Sequence, residues 1–197
     1  MKYRDSEPVR QYWVSPLLAD ELRAVLKKQI VDSHDFKVGG LLQQQKFMDR
    51  DTVEYALEMA RGGDLQARSI ATQTLDGALN LLAPVWGGVY QYSTNGDWKH
   101  RHFEKILFVQ ADYMRVYALA SQQLNTPRYL KAARDIYRYV NTFLLSPEGA
   151  YYVSQDANLV KGQHSQNYFA LADAQRRSRG IPAIDRHLYA RENGWMM

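Results

Sequence analysis

Two apolar stripes of helical period face each other across a two-glycine break. Before Gly62-Gly63 stand Val53, Ala56, Leu57 and Ala60; after it Leu65, Ile70, Leu75, Leu79 and Leu82 run on to Pro84. Apolar residues at that spacing form one buried face of a helix, and glycine ends a helix. Asp51 with Glu54 reads as a capping box at the first start, and Asp64 as the cap of the second. Helices joined by so few residues lie antiparallel, so this part of the chain is an αα-hairpin.

A second hairpin follows. Phe103 to Leu124 is apolar on most of its circumference, which predicts a helix buried nearly all round. Thr126 and Pro127 start its partner, with Leu130, Ala133, Ile136, Tyr137, Val140 and Phe143 inside and Lys131, Arg134, Arg138 and Asn141 outside. A greasier inner member and a more polar outer one fit hairpins arranged in two concentric layers. Upstream, Ser15 and Pro16 open an earlier helix with Leu17, Leu18, Leu22, Val25, Leu26 and Ile30 on one side, after a polar arm over residues 1–14. Ala150 to Val153 reads as a short strand, Phe169 to Arg179 as a short helix, and the tail carries one more turn around Tyr189. The expected fold is all-α: antiparallel hairpins over 15–145, then a loop, a short helix and a tail over 146–197, in one domain of 197 residues with at most a short β-hairpin.

Composition narrows the function classes. A net charge of +4 is spread over helices with acidic neighbours, so no nucleic-acid partner is expected. With no cysteine the chain has no disulfide, thiolate metal site or thiol redox chemistry. No leader-like apolar run follows the polar N-terminus and no stretch is long enough to span a bilayer, so a cytoplasmic protein without a membrane partner is expected.

The stretch W-G-G-V-Y-Q-Y-S-T-N-G-D-W-K-H-R-H-F-E-K, residues 86–105, is richer than a turn requires. Gly87-Gly88 permit positive φ, and Asn95-Gly96 is a strong turn signal. Trp86, Tyr90, Tyr92 and Trp98 offer flat faces for a hydroxyl-rich ligand, or for packing between helix ends. Asp97 and Glu104 can act as an acid/base pair, or as a turn cap and a helix-dipole partner. Histidine is the residue type suited to moving a proton beside a carbonyl, and His102 can do that or can simply bond backbone. His100 and His102 with Glu104 or His164 contain zinc-ligand types, but no further ligand spacing accompanies them and no metal is expected. The second polar loop, residues 154–167, brings Gln155, Asp156, Asn158 and His164, whose polar groups can bond hydroxyls. Lys46, alone in a loop, reads as solvated.

The segments W-G-G-V-Y-Q-Y-S, D-W, H-F-E-K and S-P-E-G-A-Y-Y-V-S-Q-D-A, in that order, resemble the helical part of the thioredoxin-domain-containing proteins related to spermatogenesis-associated protein and their bacterial homologues. The family pattern reads G-G-G-F-x-R-Y-S, W-x-x-P-H-F-E-K-M-L and G-F-Y-S-A-x-D-A-D. The resemblance implies an α/α toroid of the six-hairpin type, the fold of sugar 2-epimerases and several glycoside hydrolases, acting on a sugar-like molecule without a cofactor. It raises His102 and Glu104 as the groups carrying any chemistry. The chain departs from the pattern at Arg101, where Pro is usual, and at Asn158, where Asp is usual. It also has helices for about half a toroid and no thioredoxin-like segment. The open flank of a half toroid is expected to be covered by a second copy or by a partner such as a separate thioredoxin-like protein. The alternative to an enzyme is therefore a non-catalytic interaction module.

Overall fold

Residues 19–197 are described by the structure, a computed structural model. They divide at Asp32 into two compact units, and each is taken by itself. The first holds most of α1 (Asp20–Ser33). Leu22, Val25 and Leu26, read as an inner face, are exposed there. The arm over 1–14 and the Ser15-Pro16 helix start, with Leu17 and Leu18, lie outside the described residues.

In the second unit, from Ser33 to Met197, the first hairpin is α2 (Arg50–Arg61) and α3 (Leu65–Ala78). Asp64 caps α3 as expected, its carboxylate accepting from Ala67 N at 3.0 Å. The capping box at Asp51 does not form: Asp49 caps α2 through Thr52 N at 3.0 Å. That frees Asp51 to bond Arg50 and leaves Glu54 to take Arg115 across the helix pair at 2.7 Å.

The second hairpin is α4 (Leu107–Gln123) and α5 (Pro127–Tyr139), turned by Asn125 at φ 49°. Pro127 opens α5 where its fixed φ suits the first helical position. The last turn, Val140–Leu144, widens to a π-helix. Leu130 and Tyr137, expected inside α5, are exposed. α4 lies against α5 and α2 and binds its neighbours with polar side chains as well as apolar ones. Tyr117 donates to Leu75 O at 3.0 Å, and Tyr113 accepts from Met48 N at 2.6 Å. Such bonds let phenols sit in a core without leaving a stranded hydroxyl.

α4 begins four residues later than its apolar pattern suggests. Lys105–Ile106 is strand β3 instead, in an antiparallel sheet with β4 (Ser154–Gln155) and β5 (Ile184–Asp185), in the order β3-β4-β5. A separate hairpin joins β1 (Tyr92–Thr94) to β2 (His100–His102). The strand read over Ala150 to Val153 starts four residues later, and the short helix read over Phe169 to Arg179 is two, α6 (Gln166–Phe169) and α7 (Asp173–Arg179). The tail turn is α8 (Ala190–Met196). No helix among the described residues is long and apolar enough to cross a membrane.

A core at the strand-bearing end gathers Trp86, Tyr90, Leu107, Tyr139, Leu144, Tyr168 and Phe169. Each fully buried large side chain of this kind contributes about 2 kcal/mol. Lys46, expected in solvent, is buried too: its ammonium bonds Asp35 at 2.8 Å and Leu41 O at 2.6 Å. Burial of a loop lysine is tolerable because both partners are supplied.

Candidate active site

The β1–β2 hairpin is what aims His102. Asn95 and Gly96 both hold positive φ, 65° and 68°, and so reverse the chain within the 95–99 loop that joins the two strands. The register then sets Tyr92 opposite His102. Their rings stack, with centroids 4.8 Å apart and planes 10° from parallel. The phenol fixes the plane of the imidazole.

Two residues on, Glu104 turns to the same side, and its Oε2 lies 3.4 Å from His102 Nε2. Its backbone is pinned by Gln91 N, which donates to Glu104 O at 2.8 Å. The intervening Phe103 points the other way, stacking on Phe169 at 4.5 Å. Lys105 turns inward as well. It is fully buried, donates to Gly87 O at 2.7 Å and sits 4.0 Å over the Tyr139 ring. Burial, helped by repulsion from Arg176, holds the Lys105 amine well below the usual lysine range.

The antiparallel pairing Lys105↔Gln155 brings the second loop to the first. His102, Glu104, Asp156 and Asn158 therefore line one open cleft of about 430 Å³. Asp156 is held by its N–H to Ala183 O and by accepting from Asn158 N, both at 2.8 Å. Sequence reasoning missed the third wall. Ser154 and Asp185 also line the cleft, brought there by β4–β5 pairing. Asp185 accepts from His187 N at 3.1 Å and from His187 Nδ1 at 2.5 Å, and these bonds keep its carboxyl below the usual range. An aspartate in a tail gives no sequence signal of this.

The other candidate residues stand elsewhere. Asp97 sits at the hairpin tip, accepting from Lys99 N at 2.7 Å and from His100 Nδ1 at 2.9 Å, bonds that hold its carboxyl below the ordinary value. Trp98 is buried and donates to Val38 O at 2.8 Å. Trp86 is buried and donates to Asp173 at 2.5 Å, with the Arg176 guanidinium 5.1 Å from its ring. Tyr90 lies edge-on to Phe103 and Phe169, and burial pushes its phenol up to about 12. Gln155 is buried behind the cleft, accepting from Tyr139 OH at 3.1 Å. His164 is exposed on its loop and does not line the cleft. No group of three or more His, Asp or Glu among the described residues is arranged to hold a metal ion.

What the cleft presents is a histidine backed by an aromatic ring, a glutamate within reach of it, and polar side chains from two distant loops. The H-F-E-K segment builds one wall, backed by Tyr92 of the W-G-G-V-Y-Q-Y-S segment, and the S-Q-D-A segment builds another. This chain resembles spermatogenesis-associated protein 20. Mouse spermatogenesis-associated protein 20, of the thioredoxin-domain-containing family, is 27% identical over 151 residues, which is 73% of this chain and 19% of that protein. The chain thus spans about a fifth of the length of the curated relatives it matches. No protein-family model matches it.

Among solved structures, a sugar epimerase from a ruminal bacterium superimposes with a TM-score of 0.56 at 17% identity, over 73% of this chain and 42% of that one. An α-1,6-mannanase from Salegentibacter does so with the same TM-score at 12% identity, over 89% and 44%. At such identities the likeness is one of fold. The hairpins form part of an α/α toroid.

Proposed function

We propose that the cleft between the 86–105 and 151–164 loops binds a sugar-like small molecule and isomerises or hydrolyses it, with His102 and Glu104 moving the proton. One observation carries this reading: His102, Glu104 and Asp156, far apart in sequence, line one cleft open to solvent. A toroid fold likened to a sugar epimerase and a mannanase supports the substrate class. In this reading Glu104, 3.4 Å from Nε2, exchanges a proton with the imidazole, and Tyr92 holds the ring still. Asp156 and Asn158 bond hydroxyls.

The test is turnover on a panel of mono- and disaccharides, followed by proton NMR, for wild type, His102→Ala and Glu104→Ala. Both variants fold, as judged by circular dichroism, and lose activity at least a hundredfold if the reading holds. Absence of any sugar binding by the wild type at millimolar concentration defeats it.

A second reading, a non-catalytic module covered by a second copy or by a thioredoxin-like partner, is favoured by the exposed Leu119, Leu130 and Tyr137 on α4 and α5. Gel filtration at monomer size with no bound partner would count against it.

A further inference from the structure

A second cleft of about 390 Å³, bordered by Tyr92 but not by His102, is not used by the proposed chemistry. Its walls are rings: Phe47, Tyr92, Phe108 and Trp195 all line it. Trp195 is delivered by α8, which packs on α4 and is anchored where Asn193 bonds the backbone N and O of Tyr151 at 2.7 Å and 3.0 Å. The indole meets Phe108 edge to face at 5.9 Å and is 41% exposed.

The charge of this cleft is one-sided. Asp49, Asp51 and Asp112 line it against a single cation, Arg50. That guanidinium is already committed, to Asp112 at 3.0 Å and to Asp51 at 3.1 Å. Burial nevertheless holds the Asp112 carboxyl above its ordinary value, and repulsion from Asp51 and Glu54 adds to that while Arg50 works against it. Aromatic faces and surplus carboxylates attract the same kind of guest, because ring quadrupoles and carboxylates both favour a cation. The ring system already shows the preference, with the Arg191 guanidinium 4.7 Å over Trp195.

The geometry points to a binding site for a small organic cation, an ammonium carried on an apolar or aromatic body. The body lies among Tyr92, Phe108 and Trp195, and the charge lies toward Asp112 and Asp51. An anion would meet three carboxylates set against one guanidinium. A neutral molecule of the same shape would keep the ring contacts and lose the charge.

Three probes of one shape separate these cases: 2-phenylethylammonium, 2-phenylethanol and phenylacetate, titrated by calorimetry and by the indole N–H signal of Trp195, assigned with Trp195→Phe. The expected order is ammonium tighter than alcohol by about tenfold, with phenylacetate weakest, and a shifted Trp195 signal. Asp112→Asn brings the ammonium to within about threefold of the alcohol without changing the alcohol. Asp51→Asn, at an exposed carboxylate, repeats the effect in part should the Asp112 variant fail to fold. Equal binding of ammonium and alcohol, tighter binding of phenylacetate, an unmoved Trp195 signal, or no binding of the ammonium at millimolar concentration overturns the proposal.

Discussion

The indole of Trp98 occupies the place where a side chain on Gly77 would begin: a Cβ built on Gly77 falls 2.4 Å from Trp98 Nε1. The ring is held there by its bond to Val38 O and is packed on Gly40 as well. Gly77→Ala, in spite of its better helix propensity, must push the indole off that carbonyl. The expected loss is about 2 kcal/mol by urea unfolding. In a Trp98→Leu background the same alanine costs little, because the conflict is gone. Equal cost in both backgrounds would refute the steric account.

Asp35 and Lys46 make an acid-sensitive clamp. Burial works to raise the Asp35 carboxyl, but the Lys46 ammonium and the N–H groups of Lys37 and Val38 outweigh it and leave the group below its ordinary value. A carboxyl depressed in the folded state contributes stability that is complete above its unfolded value and is lost as pH falls through the folded one. Asp35→Asn also strands a buried ammonium and is expected to cost roughly 2 to 3 kcal/mol at neutral pH, less than for a fully buried pair because Asp35 still touches solvent. The gap to wild type, measured by thermal or urea unfolding, closes below about pH 4.

Lys105 gives the opposite test, in alkali. Its amine titrates well below the usual lysine range in the folded protein because it is buried and faces Arg176. Between that depressed value and the ordinary one near 10.4, the unfolded chain binds the extra proton, so stability rises with pH. Measured against Lys105→Met, the wild type should gain stability as pH climbs through this window and level off above it. A difference independent of pH would mean the amine is not desolvated.

Tyr92 acts on the proposed chemistry through His102 alone. Tyr92→Phe keeps the stack and should keep turnover within about twofold, whereas Tyr92→Ala frees the imidazole and should lower kcat about tenfold with a smaller change in KM. Loss in both variants alike would assign the phenol hydroxyl, not the ring, the role.

How far the chain was legible follows from the range of each interaction. The hairpins were readable because α2, α3 and α5 carry their own period, caps and breaks, as at Asp64, Gly62-Gly63 and Pro127. The start of α4 was not, since Phe103 to Ile106 fits a helix locally, and Lys105–Ile106 becomes strand only through Gln155, some fifty positions later. The same holds for the cleft. Glu104 and His102 were visible in a motif, and Asp156 in another, but Asp185 enters through a two-residue strand with no pattern of its own. Trp86, Tyr90 and Trp98 show the converse. Their residue type suits a ligand and a core equally, and only depth separates the two: all three are buried.

The sheet that closes the cleft has its third strand at Ile184–Asp185, after every helical hairpin has been made. During synthesis, then, both hairpins can fold while the cleft is still missing a wall, and that end of the molecule is complete only once residue 185 has left the ribosome. A stalled or clipped chain ending in the 160s would keep its helical hairpins and lack the finished cleft.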